Sequence, residues 1–115
     1  MDCVFCKIAK KELPADIVYE DNKFIAFKDI HPKTPIHILI IPKKHIISVE
    51  HITPEDKELI GELVLVAQKI AREQGVAKSG YKLLFNVGKG AGQVVEHLHL
   101  HLLAGWKNKG AELNI

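Results

Sequence analysis

The chain has 115 residues, 47% of them hydrophobic and 26% charged, with a formal net charge of +2. That is the profile of one soluble globular domain, residues 1–115, and it excludes a disordered chain, a collagen-like repeat and a disulfide scaffold. The longest apolar stretch, residues 36–42, is interrupted by His37 and falls far short of the roughly 20 residues of a membrane-spanning helix, so no membrane partner is expected.

Sixteen basic residues face fourteen acidic ones, and Lys10-Lys11 and Lys43-Lys44 are isolated pairs. A polyanion-binding surface needs a denser basic cluster, so no nucleic acid is expected as partner. Asp2 follows Met1 directly, with no apolar stretch before Lys7, Lys10 and Lys11. No export signal is read there, which makes the expected location cytoplasmic. Cys3-x-x-Cys6 then fits a thiol or metal role better than a structural disulfide.

In chain order, Ile17-Val18-Tyr19 reads as a strand ending at the turn signal Glu20-Asp21-Asn22, and residues 24–27 complete a hairpin. Pro32 and Pro35 punctuate a loop, and residues 36–41 form a β-branched strand stopped by Pro42. Thr53 is a good N-cap, with Pro54 at the first helical position and Asp56 where a capping box puts its acid. Leu59, Ile60, Leu63, Val64, Ala67, Ile70 and Ala71 then recur at helical spacing, and Gly75 is a natural stop. Residues 81–87 read as a strand, residues 88–92 as a glycine-rich turn, and residues 94–103 as a long final strand. Strands before and after one helix, joined by short turns, predict an α+β fold with a mainly antiparallel sheet.

The informative segment is His97-Leu98-His99-Leu100-His101-Leu102-Leu103. On a strand, alternation places all three imidazoles on one face and the leucines on the other, with neighbouring rings about 6.5–7 Å apart. Three readings follow. A metal site is one, although that spacing is wide for ligands of a single ion with bonds of about 2.0–2.1 Å. Nucleophilic attack by a neutral imidazole on phosphorus is another. Half-buried histidines on a sheet face are the third. His37, on another predicted strand, adds weight to catalysis, because an attacking ring needs its second nitrogen held by a histidine or a backbone carbonyl.

This pattern resembles the histidine triad (HIT) family signature, His-φ-His-φ-His-φ-φ with φ apolar, and His97 to Leu103 matches it at every position. Phe5-Cys6-Lys7-Ile8, Leu13-Pro14-Ala15, Ala26-Phe27-Lys28-Asp29-Ile30, the run from His37 to His45 and Asn86-Val87-Gly88 all fall in family order. Length and layout are similar to the Hint branch of nucleoside phosphoramidases. The resemblance implies a HIT-like fold of about five antiparallel strands and one main helix. It implies hydrolysis of purine nucleoside phosphoramidates or acyl-nucleotides at the α-phosphorus through a nucleotidyl-histidine intermediate, with no metal in the chemical step. His99 matches the nucleophile, His101 the histidine near phosphate and leaving group, and His37 the histidine orienting the nucleophile. His97 completes the triad. Asp29 matches the carboxylate on the ribose hydroxyls, Asn86 and Gln93 match polar positions around the phosphate, and Phe5, Ile8, Ile30 and Leu39 match the apolar walls around the base.

Read without the resemblance, Asp29 is a strand-end acid before Pro32, Asn86 caps the turn at Gly88, and the four apolar residues are core. One departure stands out. Gly92-Gln93 is followed by Val94, where the Hint branch usually carries a serine or threonine near the leaving group. A second resemblance, to a family branch similar to galactose-1-phosphate uridylyltransferase, pairs Cys3 and Cys6 with His45 and His97 in a closed, structural Cys₂His₂ zinc site. The Hint branch also implies a homodimer, with the segment after Trp106 near the active sites. His31 and His51 receive no role. The alternatives are a dinucleoside polyphosphate hydrolase similar to the Fhit branch, and a nucleotide- or zinc-binding interaction module with incidental turnover.

Overall fold

The computed structural model describes residues 3–106. Helix α1 spans Val4–Ala9, strands β1, β2 and β3 span Ile17–Glu20, Phe24–Lys28 and Ile36–Pro42, helix α2 spans Lys57–Glu73, and strands β4 and β5 span Tyr81–Leu84 and Leu100–Ala104. The strands form one five-stranded sheet in the order β1-β2-β3-β5-β4, with each neighbouring pair antiparallel. The tail from Lys107 onward, where the sequence places an active-site segment, lies outside the described residues.

The hairpin between β1 and β2 is made by Asp21, whose carboxylate accepts from the N–H groups of Lys23 and Phe24 at 2.8 Å each. That is the turn chemistry expected of an Asp-Asn pair. β3 leads into α2, which crosses the sheet so that β5 returns between β3 and β4. α2 starts one turn later than the sequence suggests. Pro54–Asp56 forms a 3₁₀ turn, and the Asp56 carboxylate accepts from the Thr53 N–H at 3.0 Å and from its hydroxyl at 3.3 Å. Gly75, with φ +75°, ends the helix in the left-handed region where a side chain is disfavoured.

The sheet is covered on both faces, which explains why β3 is apolar almost throughout. On one face Phe24, Ala26, Ile38, Ile40, Leu100, Leu102 and Ala104 pack against Leu63, Val66, Ala67, Ile70 and Ala71 of α2. On the other, Ile25, Phe27, Leu39 and Ile41 pack against Cys3, Phe5 and Ile8 of the α1 segment. α1 itself has no strong sequence signal, since six residues show too little periodicity to mark a helix.

Two strands are shorter than expected. The predicted strand over residues 81–87 ends at Leu84, and the predicted strand over residues 94–103 runs only from Leu100 to Ala104. The helix face also shifts: Val64 is 45% exposed, and Val66 occupies the buried stripe instead. Leu63 and Val64 are therefore a matched pair of probes. Leu63→Ala opens a cavity under the sheet and is expected to cost about 2–5 kcal/mol of unfolding free energy, whereas Val64→Ala stays within about 0.5 kcal/mol; urea titration of both variants reads the difference.

Candidate active site

The segment before β5 lies off the sheet ladder and is held by four hydrogen bonds. The Leu98 N–H donates to the Ile46 carbonyl at 2.6 Å, His97 Nε2 lies 2.8 Å from the Pro42 carbonyl, and the Gln93 side-chain amide donates to the carbonyls of Ile47 and Val95 at 2.7 and 3.0 Å. The predicted alternation survives although the ladder does not: Leu98, Leu100 and Leu102 pack on the α2 side, and His97 and His99 both lie edge-on to Phe5 on the other side. His101 stays on β5, His99 sits just ahead of it, and His97 reaches the N-terminal cysteines.

His97 is fully buried there beside Cys3, Cys6 and His45. The distances are 3.3 Å from Cys3 Sγ to His97 Nδ1, 3.3 Å from Cys6 Sγ to His45 Nδ1, 3.5 Å from Cys6 Sγ to His97 Nδ1 and 3.1 Å between the two Nδ1 atoms. A tetrahedron with zinc–nitrogen and zinc–sulfur bonds of about 2.05 and 2.3 Å needs ~3.3 Å between nitrogens and ~3.6 Å between sulfur and nitrogen. The donor set fits within a few tenths of an ångström. The tautomer fits as well: with Nε2–H given to the Pro42 carbonyl, His97 Nδ1 carries the lone pair and faces the thiols. Burial and the adjacent Cys3 push the Cys6 thiol above its ordinary value, so a metal there displaces a proton.

The other histidines form a directional chain. The Lys33 N–H donates to His37 Nδ1 at 3.1 Å, which leaves the hydrogen of a neutral ring on Nε2. His37 Nε2 lies 2.9 Å from His101 Nδ1 and donates to it. His101 then carries its own hydrogen on Nε2, and among the described residues that buried nitrogen has no hydrogen-bond partner. A buried, unpaired N–H is costly unless a ligand accepts from it. His99 Nδ1 lies 2.6 Å from the His97 carbonyl, and a carbonyl only accepts. Its Nδ1 is the protonated nitrogen, and Nε2 keeps a free lone pair. The His99 and His101 ring centres are 5.0 Å apart.

Expectation and structure part at several residues. His37 meets His101, not His99; the nucleophile candidate is oriented by a backbone carbonyl. Asp29 lies beside this chain, with Oδ1 accepting from the His31 N–H at 2.8 Å and Oδ2 3.4 Å from His37 Nε2. Asp29, His37 and His101 are close enough to suggest a second metal cluster, but the Lys33 N–H places a hydrogen on the His37 nitrogen that would have to ligate. Phe5 is buried edge-on to the rings of His99 and Phe27, at 5.1 and 5.3 Å. Ile8 and Leu39 are buried in the same cluster, whereas Ile30 is 85% exposed. Asn86 donates to the Ala91 carbonyl at 2.8 Å, and Gln93 Oε1 accepts from the Gly88 N–H at 2.8 Å. Both brace the glycine turn, and both Gln93 amide hydrogens are already committed to carbonyls. Val94 is 90% exposed. The participants that sequence reasoning missed are the Lys33 N–H and the Pro42 carbonyl, backbone groups that leave no mark in residue type.

Burial lowers the pKa of His37, His97 and His99, and takes His101 down to about 4, with His99 and His37 adding repulsion in the last case. The four rings are neutral at pH 7. In the unfolded chain His101 takes its proton near 6.5, so between about 6.5 and about 4 the unfolded state binds more protons. The stability this ring contributes is whole above 6.5 and is lost as pH falls toward 4. His101→Gln is expected to flatten that part of the unfolding free energy against pH, measured by urea titration at fixed ionic strength.

Comparison with known proteins places this geometry. Residues 2–113 match the family model described as the scavenger mRNA decapping enzyme C-term binding domain. The chain is 49% identical over 102 residues to protein HitA of Neisseria gonorrhoeae, covering 89% of this chain and 94% of that one. It is 44% identical over 104 residues to the purine nucleoside phosphoramidase of Escherichia coli, covering 90% and 87%. The crystal structure of a HIT family hydrolase from Legionella pneumophila superposes with a TM-score of 0.90 at 48% identity, covering 92% and 95%. With the His-φ-His-φ-His signature on a five-stranded antiparallel sheet, the chain belongs to the histidine triad family.

Proposed function

We propose that this HIT hydrolase cleaves purine nucleoside phosphoramidates or acyl-nucleotides, with His99 as nucleophile. The observation that carries the reading is the hydrogen bond from His99 Nδ1 to the His97 carbonyl, which leaves a buried, neutral ring with its Nε2 lone pair free. The similarity to a protein named purine nucleoside phosphoramidase supports the substrate class.

Nε2 of His99 attacks the α-phosphorus and an N–P bond forms. The bond from phosphorus to the leaving amine, or acyl oxygen, breaks, and the leaving group departs with a solvent proton where it needs one. The Nε2–H of His101 donates to the charge that builds on the phosphoryl oxygens, which a preorganised donor in a buried site stabilises strongly. Water then attacks the phosphorus, the His99–phosphorus bond breaks, and a nucleoside monophosphate leaves. Asp29 accepts from the ribose hydroxyls, and the exposed Ile30 beside it offers an apolar surface to the base. Asn86 and Gln93 act by shaping the 88–92 turn near the phosphate.

Cys3, Cys6, His45 and His97 hold one zinc ion, whose role is to crosslink α1 to the segment before β5. The same reading carries a homodimer, for which the single-sided edge strand β4 and the part-exposed Val87 provide surface, and a cytoplasmic location.

Adenosine 5′-phosphoramidate tests the reading. The native protein is expected to release adenosine monophosphate, and His99→Ala to lose on the order of 10³-fold or more in kcat. Equal activity in both proteins would remove His99 from the mechanism; faster cleavage of diadenosine polyphosphates would move the assignment to the Fhit-like branch. Elemental analysis of chelator-free protein is expected to give about one zinc per chain. Cys3→Ser is expected to reduce that to a small fraction and to lower the melting temperature by more than about 5 °C.

A further inference from the structure

Asp29 occupies a position that its ribose role does not explain. Its main-chain N–H donates to the His37 carbonyl at 2.9 Å, and its Oδ1 is held by the His31 N–H at 2.8 Å. The carboxylate is thereby fixed, and Oδ2 is turned to within 3.4 Å of His37 Nε2. That nitrogen carries the one hydrogen that His37 gives to His101, at 2.9 Å. The His37 N–H thus stands between two acceptors: a neutral ring nitrogen and an anionic oxygen.

The chain from the Lys33 N–H through His37 to His101 runs in a single direction, each ring accepting on Nδ1 and donating on Nε2. Donation into His101 Nδ1 draws electron density from that ring and makes its outer N–H a better donor. A carboxylate sharing the His37 hydrogen weakens that polarisation. Asp29 therefore restrains the chain for as long as Oδ2 lacks another donor.

We propose that ribose hydroxyls release this restraint: by donating to Asp29 they free the His37 N–H for His101, so that sugar recognition raises kcat and not only binding. Asp29 is then a specificity-determining residue that acts on the reaction through His37. The inference rests on the nucleotide reading above and deepens it. The charged and titratable groups facing His37 are Asp29, Lys33, His99 and His101, and Asp29 is the only anion among them. Its attraction opposes the lowering by burial, Lys33 and His99, so its removal makes His37 harder to protonate.

The test compares adenosine 5′-phosphoramidate with its 2′,3′-dideoxy analogue, on the native protein and on Asp29→Asn. A substrate without ribose hydroxyls has no donor for Asp29. The native protein is expected to turn over the dideoxy substrate about tenfold more slowly in kcat. In Asp29→Asn the dideoxy kcat is expected to rise several-fold, bringing the two substrates within about twofold of each other. A dideoxy defect confined to KM, or a dideoxy kcat unchanged by Asp29→Asn, would overturn the inference.

Two measurements stand apart from turnover. In substrate-free protein, the NMR titration of His37 is expected to move to lower pH in Asp29→Asn; no movement means that the contact is absent. In native protein, adenosine monophosphate but not its dideoxy analogue is expected to shift the His37 Nε2–H resonance downfield, and equal shifts count against the gate without requiring any variant to fold. If no nucleotide is hydrolysed while these signals behave as stated, the reaction assignment fails and the Asp29–His37 contact stands.

Discussion

Four imidazoles, three buried and His101 half-buried, must each dispose of one N–H and one lone pair, and three backbone groups decide how. The Pro42 carbonyl takes the His97 hydrogen, the His97 carbonyl takes that of His99, and the Lys33 N–H fills the His37 lone pair. Each choice dictates the opposite nitrogen: a lone pair toward the cysteines on His97, a free lone pair on His99, and a hydrogen passed from His37 to His101. A backbone group cannot rotate away as a side chain can, so these assignments last as long as the chain holds its path at Lys33, Pro42 and His97. Burial then keeps the rings neutral, since an imidazolium on His101 forms only near pH 4. The difference between a ring that offers a lone pair and one that offers a hydrogen, 5.0 Å apart, comes from main-chain geometry.

The sheet makes this arrangement affordable by separating two tasks. The face under α2 is a continuous apolar layer, and it supplies the burial that a domain of this size needs. The opposite face is smaller and mixed, and there Phe5, Phe27 and Leu39 surround the polar rings. Phe5 serves both clusters, because its ring lies edge-on to His99 and also 6.1 Å from His97. Helix α1 has six residues and little intrinsic stability, so its place depends on these aromatic contacts and on the cysteine–histidine cluster.

Much of this was legible in the residues. The hairpin at Asp21, the capped turn at Thr53 that leads into α2, and the stop at Gly75 follow from turn, cap and period signals that act locally. The Cys3, Cys6, His45 and His97 group was reached through resemblance, and the geometry brings those four together. What failed was the uniform strand over residues 94–103. Alternation reports which residues share a face, and the leucines and histidines keep it; it does not report whether the segment stays in the ladder, and here the Leu98 N–H goes to the Ile46 carbonyl instead. The partner of His37 was unreadable for a related reason: strand register sets it, and no single residue encodes register. Asn86 and Gln93 match positions around the phosphate by resemblance; in the fold Gln93 gives its side-chain bonds to Gly88, Ile47 and Val95, and Asn86 gives one N–H to the Ala91 carbonyl.

The cysteine–histidine cluster has a consequence for how the chain is made. Cys3 and His97 lie 94 positions apart, so the last of the four groups emerges from the ribosome long after the first two. Until then the thiols have at most His45 for company, and Phe5 lacks the His97 and His99 rings beside it. Helix α1 is therefore made well before the residue that secures it. A chain cut short before residue 97 lacks the histidine that both cysteines meet, and α1 is left with only its apolar contacts to β2 and β3.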